Sequence, residues 1–137
     1  MRLLKGEELT AVARDSDFYG PLSLKKYFAK ISLLGKSRIG YREVYVLDLQ
    51  PVSGASEKLY LHAETYLPVR INTTRASGRM QIAAEIYMDD WRAVDGIKYP
   101  FNMTQRLPGL TLVFNVKEIQ HNVPVDAKMF EAPGKPQ

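Results

Sequence analysis

The sequence predicts a mainly β chain with a minor α part: one antiparallel sheet of about seven strands, with short helices at the N-terminus and near the C-terminus. Two observations lead there. From Ala29 onward apolar residues recur at every second position, the period of a half-buried strand. Turn residues separate these runs about every eight to twelve positions, the spacing of a meander. With 137 residues, the length fits one domain spanning 1–137, long enough to bury a core without disulfides or metals.

Each element follows from local pattern. "GEELTAVARDS" is rich in helix formers and predicts a helix over Leu3 to Ala13. Gly20-Pro21 then breaks the chain, and Ser23 is placed to cap a brief helical turn. "AKISLLG" predicts the first strand, with Ile31 and Leu33 on one face. "YREVYVLDLQ" is the second: Tyr41, Glu43, Tyr45, Leu47 and Leu49 face one way, and Arg42, Val44, Val46 and Asp48 the other. "KLYLHAE" and "VRINTTR" are the third and fourth, and Ala76 to Gly78 is a three-residue turn. In the fifth, "RMQIAAEIYMDDW", Met80, Ile82, Ala84, Ile86 and Met88 share a face. The dipeptide Asp95-Gly96 is a hairpin turn, since both residues tolerate positive φ. "IKYPFNMTQR" is the sixth strand, with Tyr99 and Phe101 facing away from Lys98. "LTLVFNVKEIQ" is the seventh, with Leu110, Leu112, Phe114 and Val116 on one face. A last helical turn falls around Asp126 to Phe130.

Most of these strands have one apolar and one polar face, the pattern of a sheet with one solvated side. The short helical pieces are too little to cover seven strands. The sheet must therefore curl on itself, dimerise, or hold something apolar.

Composition and motifs argue against several chemistries. Net charge is +4, but the basic residues are scattered and form no block, so no nucleic-acid footprint is visible. Without cysteine there is neither a disulfide nor a thiolate nucleophile. No apolar run approaches a membrane span, and the first residues lack a secretory apolar region. Asp89 and Asp90 are neighbours on a strand and point to opposite faces, so they cannot easily share a substrate. His62 lies on a polar face, His121 lies where the last strand ends, and neither has ligand spacing to a second histidine; no metal site is expected. The triplet "GKS" at Gly35 to Ser37 lacks the leading glycine of a phosphate loop, because position 30 is Lys30. Asn72 to Thr74 and Asn102 to Thr104 match a glycosylation triplet, but both fall on predicted strands. The aromatics Tyr87, Trp91, Tyr99, Phe101 and Phe114 fit core and cross-strand packing better than a ligand wall.

Three stretches together resemble bacterial envelope proteins of the outer-membrane lipoprotein carrier and lipoprotein-sorting type. They are Glu64-Thr65 followed by Leu67-Pro68-Val69-Arg70; the aspartate-aromatic-Arg stretch leading into Val94 to Phe101; and Glu118-Ile119 with Asn122, closed by Asp126 and Phe130. With the strand pair that ends at Glu64-Thr65, the resemblance covers roughly Arg42 to Pro133. The resemblance implies a strongly curved antiparallel sheet, a half-barrel, whose concave apolar face binds the acyl chains of lipoproteins. It also implies no enzymatic activity, no cofactor and a periplasmic or envelope location, with any signal peptide outside this chain. The carriers are longer, and their gating arginine has no match here. The resemblance therefore implies the C-terminal part of a carrier, a truncated or partial half-barrel, or a shortened relative. A sheet edge left exposed this way suits a homodimer or a further domain of a longer chain.

The expected function is therefore non-enzymatic: binding of a lipid or lipoprotein acyl chain on the concave face, lined by Ile82, Ile86, Phe101, Leu112 and Phe114. The alternative is an assembly domain without a small ligand, dimerising through a sheet edge or the apolar face. No nucleic-acid partner is expected.

Overall fold

The structure, a computed structural model, describes residues 3–17, 19–77 and 79–131. Helix α1 (Gly6–Asp15), a 3-10 turn (Gly20–Leu22) and the one-turn helix α2 (Leu24–Tyr27) lead into seven strands: β1 (Phe28–Ile39), β2 (Arg42–Pro51), β3 (Glu57–His62), β4 (Pro68–Ser77), β5 (Met80–Val94), β6 (Ile97–Leu107) and β7 (Leu110–Asn115). A second 3-10 turn, Ala127–Phe130, follows. The strands form one antiparallel sheet in strictly sequential order, and β1 does not pair with β7, so the sheet is open rather than a closed barrel. The mainly β fold read from the sequence is the one observed.

Local differences have local causes. The helix lies over Gly6–Asp15 rather than Leu3 to Ala13. Gly6 enters with a φ of 58°, a conformation glycine adopts at little cost. Glu7 and Glu8 then occupy the first turn and Arg14 the last, matching the helix dipole. Ser23 does not cap α2 with its side chain; its N–H instead closes the preceding 3-10 turn onto the Gly20 carbonyl. β1 continues past Gly35 because a bulge after Leu33 restores pairing, with Gly35 opposite Val46. The three-residue turn expected over Ala76 to Gly78 is shorter, since β4 runs on to Ser77; Gly78 lies outside the described residues. The seventh strand ends at Asn115 rather than Gln120. The Asp95-Gly96 turn forms as expected, with φ of 49° and 82°. At Asp126 the carboxylate accepts the Lys128 N–H and starts the last 3-10 turn.

Register sorts the side chains into two faces. Leu47, Leu59, Ile71 and Ala84 share one face with Ile86, Leu112 and Phe114. The core sits at the helical end of this apolar face. Phe28, Leu49 and Leu59 form its centre, packed around by Leu24, Tyr27, Leu47, Leu61 and Ile71. Val44 and Val46 are also buried, although they project to the opposite face from Leu47 and Leu49. β2 is thus covered on both sides, and the opposite face is not wholly solvated as the alternating pattern suggested.

Candidate ligand-binding face

The five residues expected to line a binding face do lie on one side of the sheet. Ile82 and Ile86 come from β5, Phe101 from β6, and Leu112 and Phe114 from β7. Pairing brings them into rows. Ile71, Ile86, Gln105 and Leu112 follow one another across four strands, and Met88, Met103 and Phe114 form the next row. Gln105 is the polar interruption. Their exposure divides them. Leu112 is 36 % exposed and Phe114 47 %, while Ile82 and Ile86 are half-buried. Phe101 is different: it is only 7 % exposed, and the Arg92 guanidinium lies 4.6 Å from its ring centre. Arg92 in turn pairs with Asp90, whose carboxyl is held below its ordinary range by that hydrogen bond.

A charged network borders the helical end of the same face. Arg14 of α1 donates to Glu57 at 2.5 Å and Arg75 donates to it at 2.9 Å; Arg75 also pairs with Asp15 at 2.8 Å. Glu57 is buried, so both guanidinium partners are needed to offset its desolvation. Arg14 also sits 5.1 Å from the Phe28 ring centre. The network fixes α1 to β3 and β4, beside a cavity of about 470 Å³ lined by Thr10, Arg14, Tyr27, Val52 and Glu57.

The opposite face carries a ladder of arginines and tyrosines. The Arg70 guanidinium lies 4.0 Å from the Tyr60 ring centre and 5.7 Å from that of Tyr87, and Arg106 lies 4.7 Å from Tyr87. Burial pulls the Arg70 guanidinium down, but hydrogen bonds to Tyr87 and Tyr60 outweigh it and raise it above its ordinary value. Alongside runs a groove of about 440 Å³ lined by Lys58, Asn72, Glu85 and Arg106. On the same face, beyond the ladder from this groove, Arg42 joins β2 to β5 across the intervening hairpin, donating to Asp89 at 3.0 Å, and the Trp91 indole donates to the Pro68 carbonyl.

Asp89 and Asp90 therefore take different partners, as expected for neighbours on a strand. His62 is half-buried on its polar face, and its Nδ1 accepts from the Glu64 and Thr65 N–H groups in the β3–β4 turn. Sequence reasoning missed a third cluster. His121 Nδ1 lies 2.7 Å from the Asp95 carboxylate and its Nε2 2.9 Å from the Tyr99 hydroxyl. The cluster ties the chain after β7 to the β5–β6 turn. Among the described residues no group of three or more His, Cys, Asp or Glu is placed to hold a metal.

The open antiparallel meander, with its helices at one end and an apolar face running out beyond them, has a counterpart of known structure. The chain superimposes with a TM-score of 0.58 on a crystal structure from Vibrio parahaemolyticus described as an outer membrane lipoprotein-sorting protein domain. The two are 13 % identical; the match covers 77 % of this chain and 46 % of that one, so this chain spans about half of its length. The likeness is one of fold. No family model and no curated protein sequence matches this chain. No helix among the described residues is long and apolar enough to cross a membrane.

Proposed function

We propose that this chain is a non-enzymatic, periplasmic domain of the cell envelope that binds a lipid or a lipoprotein acyl chain. The site is the apolar face beyond the helices, taken as the concave side of the sheet, with Ile82, Ile86, Leu112 and Phe114 as its floor and Phe101 at its end. One observation carries the reading: two rows, Ile86 and Leu112 flanking Gln105, and the unbroken Met88, Met103 and Phe114, lie outside the described core on which Leu24 and Tyr27 pack. Burying such a surface against acyl chains gains about 25 cal/mol per Å² before ordering costs. The fold shared with a lipoprotein-sorting domain agrees with it.

The test is native mass spectrometry of protein purified from cells, beside a lipid extract and titration with a fluorescent fatty acid. Copurified lipid and saturable probe binding are expected, both lost in Ile86→Glu and Leu112→Glu variants that stay folded. Protein free of lipid that ignores the probe would sink the proposal.

A second reading, an assembly domain that dimerises and takes no small ligand, is favoured by the bare edge of β7, whose six residues are all exposed.

A further inference from the structure

We infer that β7 is a self-pairing strand, joining two copies of this chain edge to edge around a two-fold axis at Val113. The inference rests on the assembly reading above and is independent of any lipid.

The two edges of the sheet are built differently. β1 carries Lys30, Lys36 and Arg38 and is interrupted by bulges after Phe28 and Leu33. Charges and bulges of this kind are what keep an edge from pairing. β7, "LTLVFN", has no charge, no proline and no bulge, and half of it is β-branched or aromatic. Among the described residues no strand pairs with its outer edge, and all six of its residues are exposed. The Val116 N–H donates to the Phe101 carbonyl and His121 is held at Tyr99 and Asp95, so the segment after β7 stays beside β6.

The backbone polarity follows from the same bond. Val116 bonds inward to β6, and alternation along an antiparallel pair makes Leu110, Leu112 and Phe114 the other inward-bonded residues. The N–H and C=O groups of Thr111, Val113 and Asn115 then point out of the sheet. These three positions are symmetric about Val113. An antiparallel copy centred there sets Val113 against Val113 and Thr111 against Asn115 of the second copy, using every outward group. On the apolar side it sets Leu112 against Phe114 of the second copy, twice over. No charged residue of the strand opposes another, so the register is self-complementary. Leu112 and Phe114, exposed in the single copy, gain cross-strand partners.

An interface built on one six-residue strand is small, so the association is weak. Sedimentation velocity from about 10 µM to about 1 mM spans the range such contacts need. A monomer–dimer equilibrium is expected. Val113→Pro removes only an outward N–H, at an edge position where proline is tolerated, and is expected to weaken the dimer at least about tenfold. Val113→Lys does the same by charge and serves if the proline variant is less stable. Amide exchange gives the register: with rising concentration Thr111, Val113 and Asn115 slow most, while Leu112 and Phe114, already bonded to β6, change less. A dimer that is unaffected by both variants and shows no such alternation would overturn the β7 pairing while leaving an assembly role intact. A monomer throughout would overturn both.

Discussion

The sheet's two halves start from the same alternating pattern and end in different physical states. In β1 to β4 the apolar face meets helices: Leu24 and Tyr27 pack on Phe28, Leu49 and Leu59, and Arg14 reaches down to Glu57 and Arg75. In β5 to β7 the same kind of face is covered only in places, by His121 at Tyr99 and Arg92 at Phe101, and among the hydrophobic residues of those strands only Ala84 and Phe101 are buried. The lesson concerns where burial comes from. A strand's alternation decides which side chains could be covered; an element elsewhere in the chain decides which ones are. Stability therefore belongs to the helical half, and the open half is left available for contact with something else.

The sharpest way to break this contrast is to truncate one leucine on each side. Leu49, 3 % exposed, is expected to cost about 2–4 kcal/mol as Leu49→Ala, through lost transfer energy and a cavity. Next comes the polar tie. Glu57→Gln leaves Arg14 and Arg75 without their shared carboxylate and is expected to cost about 2 kcal/mol, with faster exchange in α1. Leu112→Ala in the open half should cost less than about 1 kcal/mol in the monomer, measured by urea unfolding at low concentration. Equal losses for the two leucines would show that the open half is packed after all.

The smallest effect is the pH dependence that Asp17 brings to the helical half. Hydrogen bonds from Tyr27, then Lys26, then the Tyr19 N–H hold the Asp17 carboxyl below its ordinary value. A lowered folded-state value means stability that is present above the unfolded value, near about 3.9, and lost as pH falls through the folded one. Acid titration of Asp17→Asn should show a shallower fall of stability below about pH 4 than the parent chain. Identical acid limbs would remove Asp17 from the account.

Much of the fold was legible because period two is a local property. The seven strands, their order and the Asp95-Gly96 turn all follow from residues a few positions apart. The shared face of Ile82, Ile86, Phe101, Leu112 and Phe114 was legible for the same reason. What alternation could not show is cover. Val44 and Val46 share a face of β2 with Arg42 and Asp48, yet both are buried. Nor could it show partners far apart in sequence: Arg75 meets Asp15 across sixty positions, and His121 meets Asp95 across twenty-six. Asp95 was read as a turn former, which it is, but the carboxylate freed by that turn also holds His121. The arginine–tyrosine ladder was closer to hand. Once the strands are registered, Tyr60, Arg70, Tyr87 and Arg106 fall on adjacent positions of one face, so pairing the strands would have found it.

The sequential strand order has a kinetic side. Each strand pairs only with its neighbours in the chain, so every loop that folding must close is short, and no step waits for distant ends to meet. Such a sheet can grow hairpin by hairpin from the Phe28, Leu49 and Leu59 cluster outward. It can also come apart in reverse. β7, bonded to β6 alone and carrying no buried residue, is the natural place for the first strand to peel away, well before the rest of the molecule unfolds.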